Sequence, residues 1–282
     1  MLVSIVIPFY HGNKYLNQII SMMRNNSNLS QKNGIDLECV IVNDSPDDDV
    51  QLAIDGCPFA VRIVKNQENM GIHKTRVHGL EECKGDYVLF LDQDDYISDD
   101  YVVSQVLTIG TNDFVVSNGY IQEVDGQKRP IFNSLAHQRC CLNLDYHYGY
   151  TNPIISPGQV LLKRSVIPEE WKKHFFIHNG ADDHYLWLLL LENGQRGNLN
   201  DKCLYTHIAT GTNTSLNVDE MCKSNMELVD LMSNIATKKR LKMLRRRSLY
   251  YGSNPERLFT KICFADVGIA RRRFSRLQDR TE

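Results

Sequence analysis

Short apolar runs alternate with helical patterns along the first hundred residues of the chain. The runs are rich in Val and Ile and predict four β-strands, over Val3–Pro8, Glu38–Asn43, Val61–Lys65 and Asp86–Leu91. Between them, apolar residues recur three or four positions apart and predict helices over Lys14–Arg24, Asp47–Ile54 and Ile72–Cys83. This alternation is typical of a mostly parallel sheet covered by helices on both faces. We therefore predict the α/β fold class.

The second of these helices has a recognisable start. Ser45 is a helix-capping residue type and Pro46 suits a first helical turn. The acidic triplet Asp47–Asp49 would then lie near the positive end of the helix dipole. We therefore interpret the triplet as structural.

The pattern becomes less regular from Phe114 onward. Short strand candidates predict a mixed extension of the sheet, at Phe114–Val116, Tyr120–Val124 and Gln159–Lys163. A helix over Asp183–Glu192 is expected to end at Asn193-Gly194, a common stop signal. Helical patterns return over Asp219–Arg247 and Pro255–Leu277.

Composition is that of a globular protein. The chain has 282 residues, of which 42% are hydrophobic and 23% charged, enough for one or two domains with a full core. The longest apolar stretch, Tyr185–Leu191, is far shorter than the roughly 20 residues of a membrane-spanning helix. Met1–Pro8 resembles a first strand rather than a signal peptide. We therefore expect a cytosolic protein, whose eight cysteines, none in a Cys-x-x-Cys pair, are reduced thiols in the core.

Charge divides the chain into an acidic body and a basic tail. Residues 238–282 carry 14 Lys and Arg against 4 Asp and Glu, whereas the remainder carries 18 against 30. A basic amphipathic helix can lie on an anionic membrane, pack in an oligomer or against a partner, or remain a solvated helix. These three interpretations stay open. Nucleic-acid binding is not expected, because no recognition motif accompanies the charge.

The acidic run Asp92-Gln93-Asp94-Asp95 directly follows a buried-strand pattern. Ligands of open α/β sheets bind at the carboxyl ends of the strands. In an extended segment Asp92 and Asp94 would face the same side, where both can approach one divalent ion. The run therefore predicts a metal or nucleotide contact. Alternatively, Asp94 and Asp95 solvate a turn and Ser98 caps the next helix.

Two other predicted strands end in polar residues at the same edge of the sheet. These ends are Pro8-Phe9-Tyr10 and Asn43-Asp44-Ser45. A cleft lined by Tyr10, Asp44 and Asp92 would stack a base on the tyrosine ring and hold base or ribose groups with the carboxylates. Taken alone, Asp44 after a strand is as much a turn residue as a ligand.

Together these segments resemble family 2 glycosyltransferases over roughly residues 1–100. The resemblance is carried by Val3–Pro8 with Tyr10, Val40–Ser45, Asn69-Met70-Gly71, Arg76, Gly79, Gly85-Asp86-Tyr87 and Phe90–Asp95. It implies a GT-A fold and an inverting transfer from a nucleotide-diphosphate sugar, usually a UDP-sugar. Residues 1–110 would bind the donor, 111–218 would form the acceptor and catalytic half, and 219–282 would be a basic helical extension.

The resemblance also implies roles for single residues near the donor. Tyr10 and Asp44 would hold the nucleoside, beside Pro8 and Gln93. Asp94 would coordinate Mn²⁺ or Mg²⁺ on the diphosphate, next to Asp92. Arg76 would contact the donor. Its neighbours Thr75 and Val77 depart from the family's usual Ala and Asn, so a place on a solvated helix face is the alternative for Arg76.

In the second half, the pair Asp182-Asp183 before an apolar helix is similar to the family's acidic pair. Asp182 would cap the helix and Asp183 would act as the general base. Two carboxylates at a helix N-terminus also have a purely structural explanation. Trp187 is expected in the core, and His207 lies where some members place a metal-binding or acceptor-side histidine. The loop Gly211–Ser215 would close over the donor.

Two alternatives remain for the function. A haloacid-dehalogenase-like phosphatase also has Asp-x-Asp after a buried strand, with Asp92 as nucleophile. Against it, Tyr96 stands where that pattern has Thr or Val, and the strand ends at Tyr10 and Asp44 would be unexplained. The second alternative is a non-catalytic scaffold that binds a nucleotide sugar.

Overall fold

The computed structural model describes residues 1–50, 56–211, 213 and 216–252. The chain forms two compact units. The first comprises Met1–Pro130, Ser156–Ile167 and Arg196–Thr210. The second comprises Ile131–Ile155, Pro168–Gln195 and the described residues from Gly211 onward.

A nine-stranded sheet occupies the described part of the first unit. Its strands are β1 (Leu2–Phe9), β2 (Asp36–Asn43), β3 (Ala60–Lys65), β4 (Tyr87–Phe90), β5 (Tyr96–Ile97), β6 (Phe114–Gln122), β7 (Lys128–Pro130), β8 (Val160–Lys163) and β9 (Gly197–Ile208). They lie in the order β3-β2-β1-β4-β8-β6-β9-β5, and β7 pairs with β6. The four predicted strands are all present, with ends within two residues of the predicted ones.

The first four strands are parallel. Burial on both faces explains the apolar runs of β1, β2 and β4, whereas β3 is partly exposed along its length. β1 pairs with β2 and with β4, and Ile5 and Ile7 on β1 are completely buried. Helices α1 (Leu16–Gln31), α2 (Ile72–Glu82) and α3 (Tyr101–Ile109) belong to the same unit. Gly79 on α2 allows close packing on the sheet, because a Cβ there would lie 2.4 Å from Val6 Cγ1. The predicted α/β class is confirmed.

The remaining strands form the predicted mixed extension. β8 is antiparallel to both β4 and β6, whereas β6 and β9 are parallel. The two strand candidates at Phe114–Val116 and Tyr120–Val124 are one strand, β6. The short β5 pairs antiparallel with β9. β9 was not predicted from the sequence, and α3 was anticipated only as the helix that follows Ser98.

The predicted helix over Asp47–Ile54 is wrong for its described part. Residues 46–50 form a turn, in which Asp48 N donates to Ser45 O at 2.9 Å, and 51–54 lie outside the described residues. The Ser45 hydroxyl does not cap a helix but accepts from His11 N at 2.8 Å. Asp48 in turn pairs with His11 Nδ1 at 2.9 Å. The acidic triplet therefore ties the turn to the end of β1.

The described part of the second unit is helical. Its helices are α4 (Leu135–Gln138), α5 (Leu144–Gly149), α6 (Glu169–Lys173), α7 (Asp182–Glu192), α8 (Val218–Leu231) and α9 (Lys238–Gly252). Trp187 on α7 is 1% exposed, so the core assignment is confirmed. The helix predicted over Asp219–Arg247 is divided into α8 and α9, because Thr237 starts a new helix by accepting from Arg240 N. The helix predicted over Pro255–Leu277 lies outside the described residues.

The cysteines of the described residues are all free thiols, as predicted. Cys39, Cys83 and Cys141 are buried, and the other four are partly exposed, so the core location holds for some of them only. In the described part of the chain no helix has both the length and the apolarity to span a bilayer.

Candidate active site

Three strand ends meet at one edge of the sheet in the first unit. β1 lies between β2 and β4, and all three run in the same direction. Asp44 N donates to Phe9 O at 2.7 Å just beyond the paired residues, and Leu91 N donates to Val6 O at 2.9 Å. Pro8 is buried within β1, whereas Tyr10 is 49% exposed. The polar residues after these strands are thus gathered at one edge, as expected of parallel strands.

The side chain of Gln93 joins the acidic run to the end of β1. Its Oε1 accepts from Tyr10 N at 2.9 Å, and its Nε2 donates to Tyr10 O at 3.0 Å. Gly12 makes room for this contact, because a Cβ there would lie 2.3 Å from Gln93 Oε1. Gln93 therefore fixes the main chain on which the exposed tyrosine ring is mounted.

The acidic run itself is a turn rather than the extended segment we predicted. β4 ends at Phe90, and Asp95 N donates to Asp92 O at 3.1 Å. Because the chain turns back on itself, Asp95 points into the protein and is completely buried. The alternative in which Asp94 and Asp95 solvate the turn is wrong for Asp95. Ser98 does not cap α3 either, since its hydroxyl donates to Asp100.

Asp95 is the centre of a buried polar cluster. Its carboxylate accepts a short hydrogen bond from the Tyr205 hydroxyl and a bond from Ile208 N at 3.0 Å. The same carboxylate lies 3.1 Å from His207 Nδ1. Ser156 Oγ lies 3.4 Å from Asp95 Oδ2 and 3.4 Å from Asp92 Oδ2. The cluster thereby connects His207 on β9 to the acidic run after β4.

The electrostatics of the run reflect crowded carboxylates. Burial, together with the charges of Asp95 and Asp92, raises the pKa of Asp94 to about 6. Burial also raises the pKa of Asp95, although the hydrogen bond from His207 opposes this. Burial alone would lower the pKa of His207, but the hydrogen bond to Asp95 and the nearby carboxylates outweigh it and raise that pKa. A cation placed here would relieve the repulsion among the carboxylates.

Arg76 extends from α2 into this site and is not on a solvated helix face. Its side chain is 4% exposed, and Nη2 lies 2.6 Å from Asp92 Oδ1. The ion pair fixes Asp92 at the edge of the site while leaving about a quarter of its side chain exposed. Arg76 therefore acts on the run through Asp92.

Asp44 is buried and binds the segment that leads into α2. Oδ1 accepts from Met70 N at 2.8 Å and from Asn66 Nδ2 at 2.7 Å, and Oδ2 accepts from Gly71 N at 3.0 Å. Negative charge next to the first N–H groups of a helix is favourable. These three donors use three of the roughly four acceptor positions of a carboxylate.

Asp182 and Asp183 belong to the second unit. The helix α7 begins at Asp182, so its N-cap is Ala181 and not the predicted Asp182. Ala181 N donates to the buried Ser224 hydroxyl at 3.0 Å, which holds the residue directly before the helix. Asp182 is 3% exposed, whereas Asp183 is half-buried and accepts from Asn152 Nδ2 at 3.3 Å. Asp183 is the more accessible carboxylate of the pair.

The described residues contain no ready-made metal site with three or more His, Cys, Asp or Glu side chains. The donor types beside the acidic run still suit a hard divalent ion, since carboxylate oxygens are ordinary ligands of Mn²⁺ and Mg²⁺. His207 adds an imidazole nitrogen on the neighbouring strand. Three residues of the site were not predicted from the sequence: Tyr205, Ser156 and Asn66. Tyr205 could have been recognised from the sequence, because it lies two positions before His207 on a strand and therefore on the same face.

Solved structures with the same fold bind nucleotide sugars. The structure of S. aureus TarS 1-349 in complex with UDP-GlcNAc superimposes with a TM-score of 0.64 at 17% identity, over 89% of this chain and 72% of that one. The mannosyltransferase PcManGT from Pyrobaculum calidifontis, in complex with GDP-Man and Mn²⁺, gives a TM-score of 0.64 at 15% identity, over 98% and 84%. At these identities the likeness establishes the fold, which is the predicted GT-A type.

Relatives and a family model agree with this fold. An uncharacterized glycosyltransferase of Haemophilus influenzae is 33% identical over 122 residues, 42% of this chain and 46% of that protein. An uncharacterized glycosyltransferase of Rickettsia felis is 24% identical over 238 residues, 83% of this chain and 37% of that protein. The chain thus spans less than half the length of these relatives. The model named glycosyl transferase family 2 matches residues 4–171, more than half of the chain, and the chain therefore belongs to this family.

Proposed function

We propose that this chain is the catalytic part of an inverting glycosyltransferase that moves a hexose from a UDP-sugar to a carbohydrate acceptor. The observation that carries the proposal is the gathering of Tyr10, Asp92 and Asp94 at the carboxyl edge of a family 2 sheet, with the pKa of Asp94 raised by its acidic neighbours. Membership of the family removes the phosphatase alternative. The non-catalytic scaffold remains as the second candidate.

The donor would be bound at the strand ends of the first unit. Tyr10 offers an exposed ring for stacking a base, and Gln93 holds its main chain in place. Pro8, buried in β1, leads into this segment. Asp44 has acceptor capacity left for one nucleoside N–H. The complex of TarS with UDP-GlcNAc supports a UDP-sugar as donor, with glucose, galactose or an N-acetylated form as the transferred sugar.

A divalent ion, Mn²⁺ or Mg²⁺, would lie beside the acidic run. Asp94 and Asp92 would hold it through oxygen and His207 through nitrogen, and the donor diphosphate would complete the coordination. When bound, such an ion neutralises negative charge on the leaving diphosphate. The Mn²⁺ in the PcManGT complex supports this choice of cofactor.

Orientation of Asp92 and removal of the acceptor proton are assigned to two further residues of this chain. Arg76 keeps Asp92 oriented, since removing either partner would leave an unpaired group in a poorly solvated place. Asp183 would take the proton of the acceptor hydroxyl as that oxygen attacks the anomeric carbon opposite the diphosphate, and Asp182 would support the start of α7. One such base is sufficient for inversion.

The acceptor is a glycan, a lipid-linked sugar or a glycoprotein in surface-polysaccharide or glycoprotein synthesis. We place the protein in the cytoplasm, at times on the inner face of the membrane. The exposed side chains on α9 include Lys238, Lys242 and Arg245, one stripe of positive charge that suits an anionic lipid surface. An oligomer or partner contact through the same face is the alternative.

Release of UDP from a panel of UDP-sugars tests the proposal. We expect turnover that requires Mn²⁺ or Mg²⁺ and disappears in Asp94→Ala, while Asp201→Ala, which removes an exposed carboxylate on β9, retains it. Metal-independent turnover by Asp94→Ala would refute the metal assignment. Tight UDP binding without turnover of any donor would favour the scaffold.

A further inference from the structure

Asp95 and His207 meet through only one nitrogen of the imidazole. The carboxylate of Asp95 is completely buried and lies 3.1 Å from His207 Nδ1. Within the part of the chain that the structure describes, every hydrogen bond or ion pair of the His207 side chain is made by Nδ1. About a quarter of that side chain is exposed.

The carboxylate is itself held from two further directions. Tyr205 donates its hydroxyl to Oδ2, and Ile208 N donates to Oδ1 at 3.0 Å. Tyr205 and His207 are two positions apart on β9 and so face the same side. Because Asp95 directly precedes β5, and Tyr96 on β5 pairs with Thr206 on β9, the carboxylate lies opposite both side chains.

A neutral imidazole carries one N–H, and its other nitrogen has the lone pair that binds a metal. A carboxylate that accepts from one ring nitrogen fixes the tautomer and orients the ring. We propose that Asp95, held by Tyr205 and Ile208 N, is a positioning residue that presents His207 Nε2 to the divalent cation. This inference rests on the metal in the proposed function.

A purely structural role for Asp95 makes a different prediction. If the carboxylate only satisfies the Tyr205 hydroxyl and Ile208 N, its loss weakens folding and leaves metal binding unchanged. If it acts through His207, its loss weakens metal binding only as long as His207 is present. A double-mutant cycle separates these two cases.

The experiment measures the dissociation constant of UDP by calorimetry, with saturating Mn²⁺ and with a chelator. The dissociation constant with chelator divided by the one with Mn²⁺ gives the factor by which the metal tightens UDP binding. This ratio reports the coupling between metal and UDP without any turnover. We expect His207→Ala and Asp95→Asn each to lower this ratio about tenfold, the size typical of lost ligand support. The double variant should be no worse than His207→Ala alone. Tyr205→Phe, which removes one hydroxyl, should lower the ratio several-fold.

A histidine outside the site provides the control for this experiment. His174→Ala removes an exposed imidazole and should leave the ratio unchanged. Wild-type ratios in Asp95→Asn and Tyr205→Phe, or additive losses in the double variant, overturn the inference. If Asp95→Asn does not fold, Tyr205→Phe decides alone. If Asp94→Ala abolishes the coupling while His207→Ala keeps it, this inference and the His207 ligand fail together, and the metal at Asp94 stands. If the unaltered chain shows no coupling, the proposed metal fails with it.

Discussion

The guanidinium of Arg76 lies 2.6 Å from the carboxylate of Asp92, with 4% of the arginine side chain exposed. Removing one partner of a buried ion pair leaves an uncompensated charge in a poorly solvated place. We expect Arg76→Met to lower the free energy of unfolding by about 3 kcal/mol, measured by urea denaturation. The double variant Arg76→Met/Asp92→Asn should recover part of this loss.

An exposed ion pair provides the matched control. Arg129 pairs with Glu123 at 3.0 Å, but both side chains are about half exposed. Arg129→Met should therefore cost less than about 1 kcal/mol. Equal costs for Arg76→Met and Arg129→Met would show that the Arg76 pair is not buried in solution.

Asp94 should make the metal-free protein less stable as the pH rises. Its native pKa of about 6 exceeds the ordinary value of 3.8, so the native state binds the proton more tightly than the unfolded chain. The resulting stabilisation is present below pH 4 and is lost as the pH rises through 6. Asp94→Asn should therefore be about 1 kcal/mol more stable than wild type at pH 8, because partial exposure reduces the effect.

Thermal unfolding with a chelator, at pH 4 and pH 8, measures this difference. The gain in Asp94→Asn should vanish at pH 4, and Mn²⁺ should stabilise wild type but not the variant. Asp201→Asn removes an exposed carboxylate and should change little at either pH. A destabilised Asp94→Asn at pH 8 would contradict the prediction.

Asp183→Asn should separate binding from transfer. If this carboxylate is the general base, its loss lowers kcat by about 10²- to 10⁴-fold. The dissociation constant of UDP should stay within about twofold, because the donor is assigned to the first unit. Asp219→Asn, an exposed acid in the first turn of α8, is the control. Normal transfer by Asp183→Asn would assign the base to another group.

The second unit should be sensitive to mild acid. Burial and the nearby Arg247 lower the pKa of His147 to about 4, against an ordinary 6.5. The unfolded chain therefore binds the proton first, so stability is complete above pH 6.5 and falls as the pH drops toward 4. Through His147 alone, the free energy of unfolding should fall by about 2 kcal/mol between pH 7 and pH 5.

His147→Asn should remove that part of the pH dependence. Its amide N–H can still donate to Cys141 O, which His147 Nε2 contacts at 2.9 Å. Urea denaturation at pH 7 and pH 5 gives the two free energies. The exposed His174 supplies the control, and His174→Ala should keep the wild-type slope. An unchanged slope in His147→Asn would show that burial does not lower the pKa of His147 in the native protein.

Sequence patterns predicted the parallel half of the fold well, because β1 and β2 are buried on both faces and so are continuously apolar. β9 was missed because its first half, Gly197–Lys202, is polar and partly exposed. The bounds of α3 were not predicted, because Val102, Val106 and their neighbours are also typical of a strand. The triplet Asp47–Asp49 favoured a helix locally. In the structure Asp48 instead contacts His11, 37 positions earlier, and the segment forms a turn.

The candidate site shows the same division. Tyr10, Asp44 and Asp92 follow apolar strands directly, and a parallel sheet alone gathers their positions. Asp95 was the hardest residue to assign, since nothing near it in the sequence distinguishes a buried carboxylate from a solvated one. Its burial depends on Tyr205, 110 positions later. Long-range partners of this kind leave no local pattern.

The separation between Asp95 and its partners also has a consequence for synthesis on the ribosome. Every carboxylate of the acidic run is translated more than a hundred residues before Ile208, whose N–H binds Asp95. A nascent chain that has reached only β8 carries the run without Tyr205 or His207. Closing so long a loop comes late in folding, because its entropy is lost before its contacts form. Until β9 joins the sheet, Asp95 of the growing chain therefore lacks Tyr205, His207 and Ile208 N as partners.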